Sequence, residues 1–377
     1  MIRVILISYV RPYPDIAGQV VLYRHLVNEP EIDLQVLETE PTRLGFNKLA
    51  RWILGRLGRT WCRRFVRDVL SVWLGRWIDA ELPEPEDTDM PTVVMTVAQE
   101  DACYAAMRYA QSHDLPLVTF FHDWSPDAVD VHLPFRGRVE ETFRSLYQAS
   151  ALALCVSPGM RERLGEHRNA MVLWPIPASA NSVEDSKVDT NDTSFRILYA
   201  GSLGYYGKML GDAMEVLKDH PDIRLEVRGR KPPWSQSFEK EMTDRGLLLP
   251  YASRDEFETW LQSADAFLIP QSFDENQRGL MQTNFPSKLP EVSQLGKPLI
   301  LWGPSDASGP RWASETGQGL VVDDQNPEGL VHRLEQLGSD KDEQKRLADA
   351  AKAAAAGDFN PQHIQEDFIM WLRKIAV

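Results

Sequence analysis

Cysteine, long apolar runs and an excess of positive charge are what this sequence lacks. Its three cysteines, Cys62, Cys103 and Cys155, are far apart and odd in number. They build neither a disulfide framework nor a thiolate metal centre, and they read as ordinary reduced residues. No run reaches the roughly 18 apolar residues of a membrane-spanning helix. The opening MIRVILISYV has no basic leader and no small-residue cleavage site, and reads as a first β-strand. A cytoplasmic body is therefore expected. The formal net charge of −14 excludes a general nucleic-acid binder, because phosphate backbones reward basic surfaces. His and Asp residues are scattered without ligand spacing, so no metal site is expected.

What the chain does have is length and rhythm. Its 377 residues, 43% of them hydrophobic, supply more than one core and favour two domains. Short apolar runs, RVILISYV (3–10), IDLQVLE (32–38), PTVVMTVA (91–98), LPLVTFFHD (115–123), ALALCVS (151–157) and MVLWPIP (171–177), alternate with helical spacings such as QVVLYRHLVNE and DACYAAMRYAQS. That alternation predicts a mostly parallel sheet covered on both faces. A polar, aperiodic stretch at 178–194 reads as a linker. The rhythm restarts with FRILYAG (195–201), IRLEVRG (223–229), AFLIP (266–270), KPLILW (297–302) and GLVVDD (319–324). Between them SRDEFETWLQSA carries a capping-box pattern, Ser253 with Glu256.

The expected organisation is α/β throughout: a doubly wound domain at 1–177 with an insert at 43–80, the linker, and a second doubly wound domain at 195–360. A C-terminal helix at 361–377 would fold back on the first domain. Two such domains imply a cleft, with ligands at the carboxyl ends of the strands. A tandem of α/β units without transfer chemistry fits the same pattern.

The most informative stretch is TNFPSKLPEVSQLGKPLI, 283–300. Pro286 suits the first turn of a helix running to Leu295, with Gly296 as its stop. Free N–H groups, the Ser287 hydroxyl and the Lys288 charge suit a phosphate or diphosphate. Glu291, a turn further on, suits two ribose hydroxyls. Together they match one ligand, a nucleoside diphosphate. An ordinary helix start, with Ser287 a cap, Lys288 a surface lysine and Glu291 a solvated side chain, uses the same residues.

FPSKLPEVSQLGKPLI resembles the donor-nucleotide motif of GT-B glycosyltransferases, most like family 4. The resemblance implies that Pro286, Ser287, Lys288 and Leu289 open the helix on the donor diphosphate and that Glu291 holds its ribose. The family's Glu-x7-Glu form would place a first carboxylate at Thr283, where this chain has none. Acidic contact with the donor sugar would then fall to Asp274 or Glu275. Ala17-Gly18 stands where the family has a Gly-Gly pair at the donor or acceptor, and for that loop taken alone an ordinary strand-to-helix turn is the favoured reading. FFHDWSP (120–126) resembles the strand and His-Asp that put a histidine, here His122 followed by Asp123, against the donor sugar. A core histidine is the plain alternative. GSLGYYGKML (201–210) resembles the loop that carries Gly-Arg-Leu and Lys-Gly. Here Gly201 is followed by Ser202 in place of the arginine, and Lys208 follows Gly207. Arg228 or Arg230 would supply the missing charge beside Lys208 and Lys288. A second phosphate-suited loop in one domain strengthens the donor reading.

RLGFNKLARWILGRLGRTWCRRFVR, 43–67, holds eight basic residues and no acid, so the rest of the chain carries −22 against the total of −14. With Trp52, Trp61, Trp73 and Trp77 it suits peripheral contact with an anionic membrane through 43–77, or the phosphates of a lipid-linked acceptor. Long arginine stems over a Trp-lined core are the plain reading.

The function these residues imply is transfer of a hexose-like sugar from a nucleotide-sugar, UDP- or GDP-linked, to a glycan or lipid-linked acceptor. Surface-polysaccharide assembly, at the inner face of the cell membrane, is the expected setting. The nucleotide-sugar is a substrate; no tightly bound cofactor and no nucleic-acid partner are expected. No acceptor base is evident, and retention of anomeric configuration is implied, with His122, Lys208 and Lys288 as the catalytic set. An epimerase or phosphorylase on the same architecture, or a decayed nucleotide-binding scaffold, is the alternative; Thr283, Ser202 and Ala17 favour the scaffold.

Overall fold

The structure, a computed structural model, describes residues 1–14, 18–27, 29–37, 82–86, 89–99, 101–128, 136–177, 194–229 and 232–376. Ala17, Arg230, the basic segment 43–80 with Cys62, and 178–193 of the expected linker lie outside the described residues. The chain divides into two compact units, Met1–Trp174 with Ile364–Val377, and Pro175–His363.

The first unit is built on six parallel strands, β1 (Ile2–Ile7), β2 (Ile32–Leu37), β3 (Thr92–Val97), β4 (Leu117–Phe121), β5 (Leu152–Cys155) and β6 (Ala170–Val172). Their order is β2-β1-β3-β4-β5-β6. Every residue of β3 and β4 is buried, the pattern of a parallel sheet covered on both faces. Helix Gln19–Leu26 buries Val21, Leu22, His25 and Leu26 on one face. Helix Arg136–Ala149, which the apolar rhythm did not announce, buries Phe143, Leu146 and Tyr147. Phe143 meets Phe121 at 5.2 Å and Trp124 at 5.3 Å, edge to face, which fixes the turn that follows β4.

The C-terminal helix, Pro361–Ile375, completes this unit. Phe368 stacks edge-on against His25 at 5.3 Å, and Gln365 Oε1 lies 3.0 Å from His25 Nδ1. The Gln365 amide also donates to Glu29 and to the His25 carbonyl, both at 2.9 Å. Burial pushes the His25 imidazole down to about 4, and the bond to Gln365 only partly opposes this.

The second unit repeats the plan with β7 (Phe195–Ala200), β8 (Ile223–Arg228), β9 (Leu248–Leu249), β10 (Ala266–Pro270), β11 (Leu299–Trp302) and β12 (Leu320–Val322). All pair in parallel, in the order β12-β11-β10-β7-β8-β9. This is the Rossmann order, in which the direction of winding reverses between β7 and β10. Ile197, Leu225, Leu268, Ile300 and Trp302 form the core with Leu210 and Leu334. Burying each such side chain stabilises the fold by about 1.5–3 kcal/mol. The capping box holds: Ser253 N–H donates to Glu256 Oε2 at 2.9 Å, and the Ser253 hydroxyl accepts from Glu256 N–H. Strands β6, β11 and β12 are shorter than their apolar runs: pairing is confined to Ala170–Val172 at the start of the first run, Leu299–Trp302 at the end of the second and Leu320–Val322 within the third.

Candidate functional site

In a Rossmann sheet the loops after the strands on either side of the winding reversal are where a ligand sits. In the second unit these are the loops after β7 and β10, flanked by those after β8 and β11. Small residues draw them together. Gly201 N–H donates to the Arg228 carbonyl at 3.0 Å, and a Cβ on Gly229 would lie 2.5 Å from the Gly201 carbonyl oxygen. Gln271 N–H reaches the Trp302 carbonyl at 2.7 Å.

The segment after β10 was expected to be one helix from Pro286 to Leu295. The helix is instead Lys288–Ser293, with Pro286 just outside it and Ser287 at the N-cap. The turn is closed by Leu289 N–H on the Pro286 carbonyl at 2.9 Å and stopped at Gly296, whose φ is +59°. Pro290 within so short a helix lacks the N–H that would extend the ladder. Ser287 makes no side-chain cap, so its hydroxyl is not engaged as an ordinary helix cap. Lys288 Nζ pairs with Glu291 Oε2 at 2.6 Å, the lysine side chain 44% exposed and the glutamate 20%. Leu289 is buried and anchors the turn.

Thr283, where a first carboxylate would stand, is buried, and its hydroxyl donates to the Gly279 carbonyl at 3.0 Å. Asp274 caps the turn after it, accepting from the Asn276 backbone and side-chain amides at 2.9 Å. Glu275 is exposed and lies 3.5 Å from Arg278. Arg278 also meets Asp306, from the loop after β11, at 2.7 Å, and Gln282 donates to the same carboxylate at 2.8 Å. Burial pushes Asp306 up, but its bonds to Arg278 and Gln282 outweigh that and hold it below its ordinary value.

On the loop after β7, Gly204 N–H donates to Ser202 Oγ at 3.3 Å, and the Ser202 carbonyl accepts from Tyr199 at 2.5 Å. Lys208 is exposed and pairs with Asp212 at 2.8 Å, one turn along its own helix. The Arg228 guanidinium donates to the Pro250 carbonyl at 2.5 Å and lies 4.9 Å from the Trp260 ring. Burial pushes it below its ordinary value, against the pull of Glu226 and Glu256. Tyr206 bridges towards Met281 Sδ at 4.0 Å, and burial pushes its phenol up to about 12.

In the first unit His122 directly follows β4. Its Nδ1 lies 3.3 Å from Asp123 Oδ2 and its ring packs edge-on to Phe120 at 5.5 Å. Gly18 has φ +82°, a conformation that favours glycine, at the start of helix Gln19–Leu26. The structure therefore groups Gly201, Ser202, Lys208, Arg228, Asp274, Glu275 and 286–291 on the second unit, and Gly18, His122 and Asp123 on the first. The sequence reading passed over Gln271, Ser308 and the Arg278–Asp306 pair; their partners lie far along the chain and left no local spacing to read. Among the described residues no group of His, Cys, Asp and Glu could hold a metal ion, and no helix is long and apolar enough to cross a membrane.

Residues 182–354 match the family described as glycosyl transferases group 1. The lipopolysaccharide core biosynthesis glycosyltransferase LpsE of Rhizobium meliloti is 22% identical over 267 residues, 66% of this chain and 74% of the relative. Among solved structures, Anabaena HepE in complex with UDP superposes with a TM-score of 0.64 at 12% identity, covering 99% of this chain and all of HepE. TarM gives a TM-score of 0.53 at 9% identity, and this chain spans 58% of TarM's length while 80% of it is covered. At these identities the structural likeness speaks for the fold, two Rossmann-like units of the GT-B class.

Proposed function

We propose that the chain, which matches the glycosyl transferases group 1 family over residues 182–354, is a glycosyltransferase whose donor is a nucleoside diphosphate sugar held by Ser287, Lys288 and Glu291. The observation that carries this is the half-buried Lys288–Glu291 pair on the turn after β10, a strand that borders the winding reversal of the sheet. Lys288 turns from the carboxylate to the diphosphate, and Glu291 accepts the ribose hydroxyls. Lys208 and Arg228 supply further positive charge. The UDP and UDP-glucose complexes of HepE support uracil as the base.

The sugar passes to a glycan or lipid-linked acceptor, and the LpsE relationship supports surface polysaccharide as the setting. The bond from the anomeric carbon to the diphosphate breaks as the acceptor oxygen bonds to that carbon on the same face, and the leaving phosphate takes the acceptor proton. Once Lys288 has turned to the bound diphosphate, positioned cations stabilise the growing charge on the leaving group. His122 is kept as a catalytic residue of the first unit in this reading, and the basic 43–77 segment meets an anionic membrane or the acceptor's phosphates.

Calorimetric titration with UDP, GDP, ADP and CMP tests the donor. Binding of one diphosphate, lost in Lys288→Ala, is the expected result; binding of none at millimolar concentration sinks the reading. The buried hydroxyl at Thr283, in place of a carboxylate, favours a second reading, a nucleotide-binding protein without turnover. Acceptor-dependent release of the diphosphate separates the two, and product NMR showing inversion would remove the retaining step.

A further inference from the structure

We propose that Gln271 is a positioning residue for the 286–291 turn, acting through Ser308 and Asn284. Its functional weight rests on the donor site proposed above. Gln271 follows β10 and is 2% exposed. Its carboxamide is bonded on both sides: Oε1 accepts from Gly309 N–H at 2.7 Å, while Nε2 donates to the Met281 carbonyl at 3.2 Å and to Ser308 Oγ at 3.3 Å. Ser308 in turn donates to the carbonyl of Asn284. One buried amide thus joins the end of helix Arg278–Thr283, the start of helix Ser308–Thr316 and the residue that leads into Phe285-Pro286-Ser287-Lys288.

The packing says the same. A Cβ on Gly309 would lie 2.7 Å from Gln271 Oε1 and 3.3 Å from Pro286 Cγ, so the amide, the Gly309 backbone and the Pro286 ring are in close contact. A Cβ on Gly303 would lie 2.7 Å from the Gln271 carbonyl oxygen. Phe285 is pinned between Trp312 at 6.4 Å and Phe359 at 5.9 Å. With the Asn284 carbonyl and the Phe285 ring both held, the direction in which Ser287 and Lys288 leave the core is set by the relay. A buried amide with all its partners satisfied has one low-energy orientation, and losing a partner leaves a buried polar group unmet.

The experiment compares wild type, Gln271→Met, Ser308→Ala, Ser308→Thr and a control, Leu334→Ala, which thins the core elsewhere. Hydrogen–deuterium exchange is read at the backbone N–H groups of 287–292 other than Pro290, and UDP affinity by calorimetry, at a temperature where each variant is folded by circular dichroism. Gln271→Met and Ser308→Ala should speed exchange at 287–292 and weaken UDP by about tenfold, since small displacements of a positioning group are felt steeply. Ser308→Thr, keeping the hydroxyl, should restore both. Leu334→Ala should lower the melting temperature and change neither. Should Gln271→Met fail to fold, Ser308→Ala carries the test. Unchanged exchange in Ser308→Ala overturns the proposal, and so does faster exchange with wild-type UDP affinity. If the wild type binds no UDP, the affinity arm is read with whichever of GDP or ADP binds; if no diphosphate binds, the donor reading falls, and exchange at 287–292 alone decides whether the relay orients the turn.

Discussion

Within the second unit, the middle of β8 and the turn after β10 each set a glutamate against cations, and they differ in how closed the arrangement is. Glu226 on β8 is 3% exposed and receives Arg196 at 2.9 and 2.7 Å, Arg224 at 2.7 Å and the Trp260 indole at 2.7 Å. Burial pushes its carboxyl up, yet these donors outweigh burial and hold it below the ordinary range. Lys288 and Glu291 pair at the sheet's carboxyl end, far more open to water. A carboxylate sealed among its donors ties strands together, because loosening any partner strands a charge in the interior. An ion pair at an exposed edge loses little when its members turn to a ligand. Both places read as charged residues in the sequence; only the enclosure tells them apart.

The sharpest way to break this comparison is to exchange the outcomes. Glu226→Ala leaves Arg196 and Arg224 facing a vacated site in the sheet, and should destabilise the unit by about 3–5 kcal/mol in urea unfolding. Turnover per folded molecule should stay at the wild-type value. Lys288→Ala should do the reverse: about a 100-fold fall in turnover, with stability changed by less than about 1 kcal/mol. Loss of activity without loss of stability at Glu226, or loss of stability at Lys288, would show that enclosure does not separate the two roles.

His25 extends the comparison to the first unit, where a sealed group is neutral. An unfolded imidazole titrates near 6.5 and the folded one at about 4, so the unfolded chain binds more protons between those values. The stability present at pH 7 should therefore fall as pH drops through that window, by about 2 kcal/mol between pH 7 and 5. His25→Gln should flatten this slope. A slope of wild-type steepness in the variant would mean that the acid sensitivity lies elsewhere than beneath helix Pro361–Ile375.

Much of the framework was legible because period and capping are local. The buried runs of β3, β4 and β10, the Ser253–Glu256 box and the Gly296 stop all declare themselves within a few residues. What escaped did so for physical reasons. Strand β9 has only Leu248 and Leu249 and no pattern to show. Helix Ser308–Thr316 opens with Ser-Gly-Pro, residues that argue against a helix until one sees Gly309 pressed against Gln271. Helix Arg136–Ala149 did carry an i, i+3, i+4 signal in Phe143, Leu146 and Tyr147, diluted by its charged residues. At the candidate site, Ser287, Lys288 and Glu291 were readable as neighbours. The relay beneath them was not, since Gln271 and Ser308 are separated by 37 positions.

The smallest expected effect is also the most discriminating. In the donor reading Glu291 accepts ribose hydroxyls, so Glu291→Gln weakens UDP by losing a charged acceptor, about 1.5 kcal/mol or somewhat more than tenfold. Part of that loss is offset, because Lys288 no longer has a carboxylate at 2.6 Å competing with the diphosphate. The net change therefore falls below that for Lys288→Ala, and affinity alone would say little. A double-mutant cycle between Glu291→Gln and removal of the ribose 2′-hydroxyl isolates the contact. If Glu291 holds that hydroxyl, 2′-deoxy-UDP binds the wild type more weakly than UDP does, and the two ligands bind Glu291→Gln nearly alike. Additive losses would mean that Glu291 serves only to steady Lys288, which would move the ribose to another part of the edge and leave the lysine as the pair's only ligand group.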